Sequence, residues 1–193
     1  MIQNQTERLS HLSEVLLDMT GIQSVERSDS ISLAELTDEV CCDLASIADQ
    51  KKVELIQEEG DCTVTGSYLL LYRAVYNLVE NAIKYNHSGG KVTVKISQKK
   101  DLPAAHSKPA DYALVEVTDT GIGISPEYQE KIFAPFFRVD KSRSRAMGGA
   151  GLGLALVAEI ARQHGGQVKV LASSKKGSTI ALMLPINSPL IEI

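Results

Sequence analysis

The chain has 193 residues, of which 44% are hydrophobic and 23% charged, and its formal net charge is −4. This length supplies one hydrophobic core and a small appendage, so we expect one main domain rather than two full ones. The acidic balance and the lack of Lys/Arg runs argue against a nucleic-acid partner, which requires a clustered basic face.

The N-terminus and the cysteines indicate the compartment. The chain begins MIQNQTERLSH and contains no run of about 18 apolar residues, so we expect a soluble cytoplasmic piece without an export signal or membrane contact. Cys41 and Cys42 are adjacent and Cys62 is the only other cysteine. This pattern suits neither a disulfide framework nor a CxxC metal clamp, and it predicts reduced thiols buried as small apolar groups.

Residues 5–20 are predicted to form a helix with a narrow apolar seam, because apolar residues recur along it at steps of three, four and three. The seam consists of Leu9, Leu12, Leu16 and Met19. Such a seam requires a partner helix. Gly21 and the polar stretch 23–30 end this element.

A second helix is predicted to begin at Ser32, since Glu35 stands three residues later and completes a capping box. Its apolar face continues to about Ala48. The elements predicted next are short strands at 53–56 and 62–65 and a third helix over about 67–85.

The C-terminal half predicts two hairpins around one more helix. Strands at 91–97 and 112–118 alternate apolar and polar residues and are joined by a polar surface loop. A brief helix at 125–132, an irregular mobile loop, a helix at 152–164 and strands at 167–172 and 179–184 follow. The predicted fold class is α+β: a two-layer sandwich with a mixed, mostly antiparallel sheet, helices on one face and an N-terminal helix.

Asn77 and Asn81 are the first chemical feature, because their i to i+4 spacing sends both carboxamides from one face of the third helix. A carboxamide oxygen is a hard neutral ligand suited to Mg2+, and Lys84, one turn later, can supply a point charge to a phosphate. The alternative is a solvated helix end. Two asparagines inside an apolar helix lower its stability unless they are used, which favours a ligand site.

The segment Asp119-Thr120-Gly121-Ile122-Gly123 directly follows a predicted strand. Its glycines allow a sharp turn and a close ligand approach, and Asp119 at the strand end can accept from an exocyclic amine. An ordinary Asp-Gly turn fits this segment equally well on its own.

A glycine-rich loop, Gly148 to Gly153, enters the helix at 152–164. The free amides and dipole of such a helix start favour phosphate. A dinucleotide fingerprint would follow the first strand of a βαβ unit, whereas this loop follows an Arg/Ser-rich segment late in the chain, which disfavours that alternative.

Four segments together carry a family resemblance. In order and spacing, NLVENAIKYN, DTGIGIS, FAPFFRVD and GGAGLGLALV resemble the asparagine, glycine and phenylalanine boxes of the sensor histidine kinase ATP-binding domain. This domain belongs to the superfamily shared with DNA gyrase, Hsp90 and MutL. The resemblance spans roughly residues 32–186 and implies a Bergerat-type fold that binds ATP and Mg2+.

For the phosphate end of ATP, the resemblance implies that Asn81 coordinates Mg2+ and that Asn77 and Lys84 hold phosphates or their metal. Arg138, in the FFRVD stretch, resembles the arginine that reaches the phosphates. The closing lid and its hinge would comprise Gly149, Gly151, Leu152 and Gly153.

For the adenine end, the resemblance implies that Tyr85 lies against the base and that Asp119 accepts from its amine, with Thr179 supporting Asp119 through water. The rest of this binding loop would be Gly121, Gly123 and Ile124. Ala150 stands where Thr is common and Ser178 where a second glycine is usual, which puts lid detail in doubt rather than nucleotide binding.

The resemblance also favours phosphoryl transfer over hydrolysis. In hydrolysing members a glutamate usually activates water at the position of Asn77, and an amide cannot act as a general base. Glu80 could orient a nucleophile, bind Mg2+ through water, or be a solvated carboxylate. The alternatives to a kinase are a degenerate nucleotide-binding or docking module and a gyrase- or Hsp90-like ATPase.

The acceptor histidine is predicted to lie outside this chain. His11, in RLSHLSEVLLD, lacks the Glu and Pro of the acceptor motif. Residues 1–30 resemble part of the dimerisation hairpin and a linker, residues 31–188 the catalytic domain, and 189–193 a tail. The expected partners are the hairpin carrying the histidine, a response regulator receiver domain and, in a membrane-anchored full-length protein, a second subunit.

Overall fold

The computed structural model describes residues 25–102, 110–139 and 151–186. The helix predicted over residues 5–20 lies outside them. The strands are β1 (Asp29–Ser32), β2 (Glu54–Gln57), β3 (Thr63–Gly66), β4 (Lys91–Leu102), β5 (Ala110–Asp119), β6 (Gln167–Ser174) and β7 (Gly177–Pro185), and the helices are α1 (Leu33–Lys51), α2 (Tyr68–Lys84) and α3 (Gly153–Gln163).

One five-stranded sheet, in the order β2-β4-β5-β7-β6, forms a layer of the domain. β2 runs parallel to β4, and the remaining neighbours are antiparallel. Both predicted hairpins are present, as β4 with β5 and β6 with β7. The predicted α+β sandwich with a mixed, mostly antiparallel sheet is therefore confirmed.

The predicted cap of α1 is also present, because the Glu35 amide donates to the Ser32 hydroxyl over 3.2 Å. The helix runs three residues beyond the predicted end, to Lys51, and Lys52 closes it in the left-handed region at φ 57°. There the Lys52 amide donates to the Ala48 and Asp49 carbonyls, satisfying groups that helix ends leave unpaired.

Three predictions of local structure need correction. β4 and β5 extend into the segment predicted as a loop, to Leu102 and from Ala110. The brief helix predicted at 125–132 is two 3-10 turns, Pro126–Tyr128 and Lys131–Phe133. β1 was predicted as part of a polar stretch; it pairs with β3, and only Ile31 of its residues is buried.

The core lies between the sheet and the helices. Alternate residues of β4 and β5, such as Val94 and Val115, point to the same side and pack with the helices. A smaller cluster occupies the other face of the sheet and consists of Tyr112, Leu114, Ala181 and Met183. Among helices in the described part of the chain, none combines the length and apolarity needed to cross a bilayer.

All three cysteines carry free thiols, but their burial differs. Cys62 is buried, as predicted, and joins the main core. Cys41 is half-buried, and burial raises the pKa of its thiol to about 11. Cys42 is exposed, so the prediction of a buried thiol is wrong there: adjacent residues on a helix point in directions about 100° apart.

Candidate functional site

The C-terminal half of α2 presents the two asparagine amides on one half-buried face. The Asn77 amide nitrogen donates to the Arg73 carbonyl and the Asn81 nitrogen to the Asn77 carbonyl, each over 2.8 Å. These local bonds use one N–H donor of each side chain. Among the described residues no hydrogen bond engages either carboxamide oxygen, so these oxygens are available to a cation.

α3 begins directly against this face. A Cβ atom built on Gly153 would lie 2.6 Å from the Asn77 carboxamide oxygen, so the close approach of the two helices requires glycine. The preceding Leu152 is buried and anchors the helix start. The first amides of α3 therefore lie beside the asparagine oxygens, where an anion bound to a cation would find donors.

Lys84, at the end of α2, lies within electrostatic reach of Arg138. Burial lowers the pKa of the Lys84 ammonium and the positive charge of Arg138 lowers it further, while Glu80 one turn back opposes them. The Arg138 Nη2 atom is buried and has no hydrogen-bond partner among the described residues. Two partly buried cations with one such atom form a site suited to an anion.

Gly151 packs closely against the segment that carries Arg138. It adopts φ 73°, and a Cβ there would lie 2.9 Å from the Phe137 carbonyl and 3.1 Å from Arg138 Cγ. Its own carbonyl accepts the Phe136 amide over 2.9 Å. The FFRVD stretch is thus fastened to the residues that open α3; Gly149 lies outside the described residues.

The Asp119 carboxylate, at the end of β5, is held by two donors. Oδ1 accepts the Gly121 amide over 2.7 Å and Oδ2 accepts the Ser178 hydroxyl over 2.5 Å. Each oxygen keeps a further lone pair, so the carboxylate is oriented and can still accept from an amine. A Cβ on Gly121 would lie 2.4 Å from the Tyr85 carbonyl, which explains glycine at this position.

The glycine loop after β5 is fastened to both neighbours. The Ile122 amide donates to the Tyr85 carbonyl over 3.3 Å, and the Ile124 amide donates to the Ser173 hydroxyl over 2.7 Å. Gly123 adopts φ 68° where a Cβ would overlap the Ser174 carbonyl. The Tyr85 and Ile122 side chains, 37% and 51% exposed, offer an apolar surface beside Asp119.

Asn86 is a buried polar residue that joins three segments. Its carboxamide oxygen accepts the His87 amide over 2.9 Å and the Thr120 hydroxyl over 3.2 Å. Its nitrogen donates to the Lys91 carbonyl over 2.9 Å. The exit of α2, the start of β4 and the residue after Asp119 are therefore joined through one side chain.

Thr179 does not contact Asp119, because Ser178 faces Asp119 across the β5/β7 ladder. Thr179 is paired with Thr118, and their hydroxyl oxygens lie 3.0 Å apart. Alternation along β7 puts Thr179 on the opposite face of the sheet. Ser178 therefore makes the direct hydrogen bond to Asp119, and support from Thr179 through water stays a prediction.

Sequence reasoning missed Asn86, Ser173 and Ser178. Ser178 could have been found from the period of two along β7 combined with the β5/β7 register. Nothing local marks Asn86 or Ser173, whose partners lie in other segments. Within the described residues no cluster of three His, Cys, Asp or Glu side chains could hold a metal.

Comparison with known proteins identifies the family of the chain. The family described as histidine kinase-, DNA gyrase B-, and HSP90-like ATPase matches residues 66–188. The chain is 33% identical over 192 residues to sensor histidine kinase RppB of Synechocystis, covering 97% of this chain and 40% of RppB. It is 35% identical over 186 residues to sensor-like histidine kinase SenX3 of Mycobacterium bovis, covering 94% and 43%.

A solved structure shows the same fold. The mycobacterial sensor histidine kinase MprB matches with a TM-score of 0.64 and 29% identity, covering 82% of this chain and 97% of that one. The chain therefore belongs to the histidine kinase-, DNA gyrase B- and HSP90-like ATPase family, as an ATP-binding domain of the sensor histidine kinase type. It spans about two fifths of the length of the curated relatives RppB and SenX3.

Proposed function

We propose that this chain binds Mg-ATP and donates the γ-phosphate to a histidine of a two-component sensor kinase, for relay to a response regulator. The observation that carries the proposal is the buried Arg138 Nη2 atom, which has no hydrogen-bond partner among the described residues, near Lys84. Like charges brought together in this way are stabilised by a bound anion. A module that only docks to a partner would not require two cations placed in this way.

The adenine end supports the same proposal. Asp119 is oriented by Gly121 and Ser178 before any ligand arrives. Its remaining lone pairs would accept the adenine amine, and the exposed Tyr85 ring would lie against the base. Base recognition at this end and anion binding at the other match the two halves of a nucleotide.

The residues present fit Mg2+. The Asn77 and Asn81 oxygens are hard ligands, and Mg2+ takes a few such protein oxygens together with water and phosphate. Asn81 would hold the metal directly, while Asn77 would hold a phosphate or the metal. When bound, Mg2+ neutralises charge on the phosphate oxygens.

The reaction requires positioning and charge neutralisation. The bond between the γ-phosphorus and the bridging oxygen breaks, a nitrogen–phosphorus bond forms on the acceptor imidazole, and ADP leaves. Lys84 and Arg138 would stabilise charge on the leaving phosphates. Asn77 cannot serve as a general base for water, which favours transfer over hydrolysis, and Glu80 would orient the nucleophile or bind Mg2+ through water.

The acceptor would be supplied by a dimerisation hairpin of which residues 1–30 retain a part, with residues 31–188 as the catalytic domain. The full-length protein would be a homodimer. A response regulator receiver domain would take the phosphate next. We place the domain on the cytoplasmic side of the membrane.

Transfer in trans tests the proposal. A separately made hairpin bearing the acceptor histidine, mixed with this chain and γ-labelled Mg-ATP, should become labelled, and the Asp119→Ala chain should label it poorly. Absence of label at high protein concentration would instead favour a nucleotide-binding docking module. Steady phosphate release by the chain alone would favour an ATPase.

A further inference from the structure

Lys51, in the last turn of α1, contacts the end of α2. Its ammonium donates to the Ile83 carbonyl over 2.8 Å and also to the Lys84 carbonyl. Sequence analysis gave this lysine no role. Its place in the fold puts it one residue from the backbone of Tyr85.

The last carbonyls of a helix lack partners within the helix, and a cation there is favoured by the helix dipole. The Asn81 carbonyl accepts the Tyr85 amide over 3.0 Å, and the Ile83 carbonyl accepts the Asn86 amide over 3.2 Å. Lys51 supplies a side-chain donor to the Lys84 carbonyl. The lysine therefore supplies a donor to two of the last carbonyls of α2.

Residues of both ends of the proposed nucleotide site are attached to this end of α2. Lys84 carries the cation that faces Arg138, and the Tyr85 carbonyl holds the glycine loop through the Ile122 amide. The position of the Lys84–Tyr85 peptide thus sets the phosphate end and the adenine end at once.

The charged form of the Lys51 ammonium is disfavoured at this position. Burial lowers the pKa of Lys51, and the charge of Lys84 lowers it further. An apolar residue could cover the helix end without bringing a second cation beside Lys84. The charge is compensated when phosphates bind near Lys84, because an anion stabilises both ammonium groups.

We propose that Lys51 is a positioning residue of the nucleotide site, which fixes the Lys84–Tyr85 peptide and adds positive potential at the phosphate end. This inference rests on the proposed function. Lys51 touches no nucleotide itself and acts through the α2 exit.

Three substitutions separate its contributions. Lys51→Met removes donor and charge, Lys51→Gln keeps a donor without charge, and Lys51→Arg keeps both. Titration with a fluorescent nucleotide should show that Lys51→Met weakens Mg-ATP and Mg-ADP about tenfold, as loss of a residue supporting a ligand contact does. Lys51→Gln should fall between, and Lys51→Arg should recover affinity to within about threefold of the unmodified chain.

Thr37→Val is the matched control, since Thr37 lies on the same helix about 20 Å away along its axis. Thr37 is buried, donates to the Leu33 carbonyl over 2.8 Å and accepts from Gln57 over 2.9 Å, so its replacement destabilises α1 without reaching the site. It should leave nucleotide affinity within about twofold at temperatures below unfolding. Thermal unfolding of each variant confirms that the titrated material is folded.

Equal affinity of Lys51→Met and the unmodified chain overturns the assignment to Lys51 and leaves the proposed function intact. The same holds if Thr37→Val weakens binding as much as Lys51→Met does, or if Lys51→Arg recovers nothing. Should Lys51→Met fail to fold, the comparison of Lys51→Gln with Lys51→Arg decides the question in the same way. Absence of binding by the unmodified chain overturns the proposed function and this inference together.

Discussion

The proposed adenine end and the proposed phosphate end of the site are built differently. At the adenine end, Asp119 and Asn86 are engaged by donors and acceptors of the chain itself. At the phosphate end, partly buried Lys84 and Arg138 are set near each other, and the buried Arg138 Nη2 has no partner among the described residues. The first end is arranged before any ligand binds, whereas under the proposed function the second would be completed by the ligand.

This difference has a consequence for mutations. Removing a group at the adenine end exposes the partners it satisfied, so both folding stability and affinity should fall. Removing the Arg138 cation at the phosphate end relieves its repulsion of Lys84 in the free chain, so affinity alone should fall there.

Asp119→Ala should have the largest effect. It removes the acceptor of the Gly121 amide and of the Ser178 hydroxyl, and in the complex it leaves the adenine amine unpaired. We expect ATP and ADP to bind about 1.5 to 3 kcal/mol more weakly, roughly ten- to a hundredfold. A change below twofold in a fluorescent-nucleotide titration would remove Asp119 from the site.

Arg138→Met should weaken Mg-ATP by about 1.5 kcal/mol, because it removes a charged donor to phosphate. The loss should be smaller for Mg-ADP. Since the buried Nη2 atom disappears and Lys84 is freed of a like charge, the free energy of unfolding of the free chain should stay constant or rise. A clear loss of stability with unchanged affinity would contradict this view of the phosphate end.

Ser178→Ala should weaken both nucleotides by about 1 kcal/mol, as expected for one hydrogen bond to an oriented carboxylate. Thr179→Val is its control, because Thr179 lies on the other face of the sheet and pairs with Thr118. Isothermal titration of the two variants side by side would show the difference. Equal losses would mean that Thr179 also serves Asp119.

His164, away from both ends of the site, should make a smaller contribution, to the pH dependence of folding stability. Its Nε2 accepts the Ser67 amide over 3.1 Å at the start of α2, and its Nδ1 lies 2.8 Å from the Ile160 carbonyl and so carries the proton. Burial lowers the pKa of this imidazole, and Arg27 lowers it further against the opposing Ile160 carbonyl.

The sign of the pH effect follows from that lowered pKa. The stability from neutral His164 is complete above the unfolded pKa of about 6.5 and is lost as pH falls toward the lower folded value, because the unfolded chain binds the proton first. Denaturant unfolding at pH 7.5 and 5.5 should therefore show a loss that His164→Asn largely abolishes. An identical pH dependence in that variant would exclude His164 as the cause.

Sequence reasoning predicted the parts that local pattern controls. The Ser32 cap of α1, the asparagine face of α2 and the glycines near Asp119 follow from spacing within one segment. Predictions failed where long-range pairing decides: β1 forms because β3 lies beside it, with only Ile31 as an apolar signal. Ser178 required the β5/β7 register, and Lys51 required the packing of α1 beside the end of α2.

Under the proposed function, the two ends together form one site for a magnesium-bound nucleotide. Calorimetric titration of the folded chain with Mg-ATP and Mg-ADP tests it most directly. We predict saturable binding of both at one site, with Asp119→Ala weakening both and Arg138→Met weakening mainly Mg-ATP. Absence of saturable heat with either nucleotide would contradict the account.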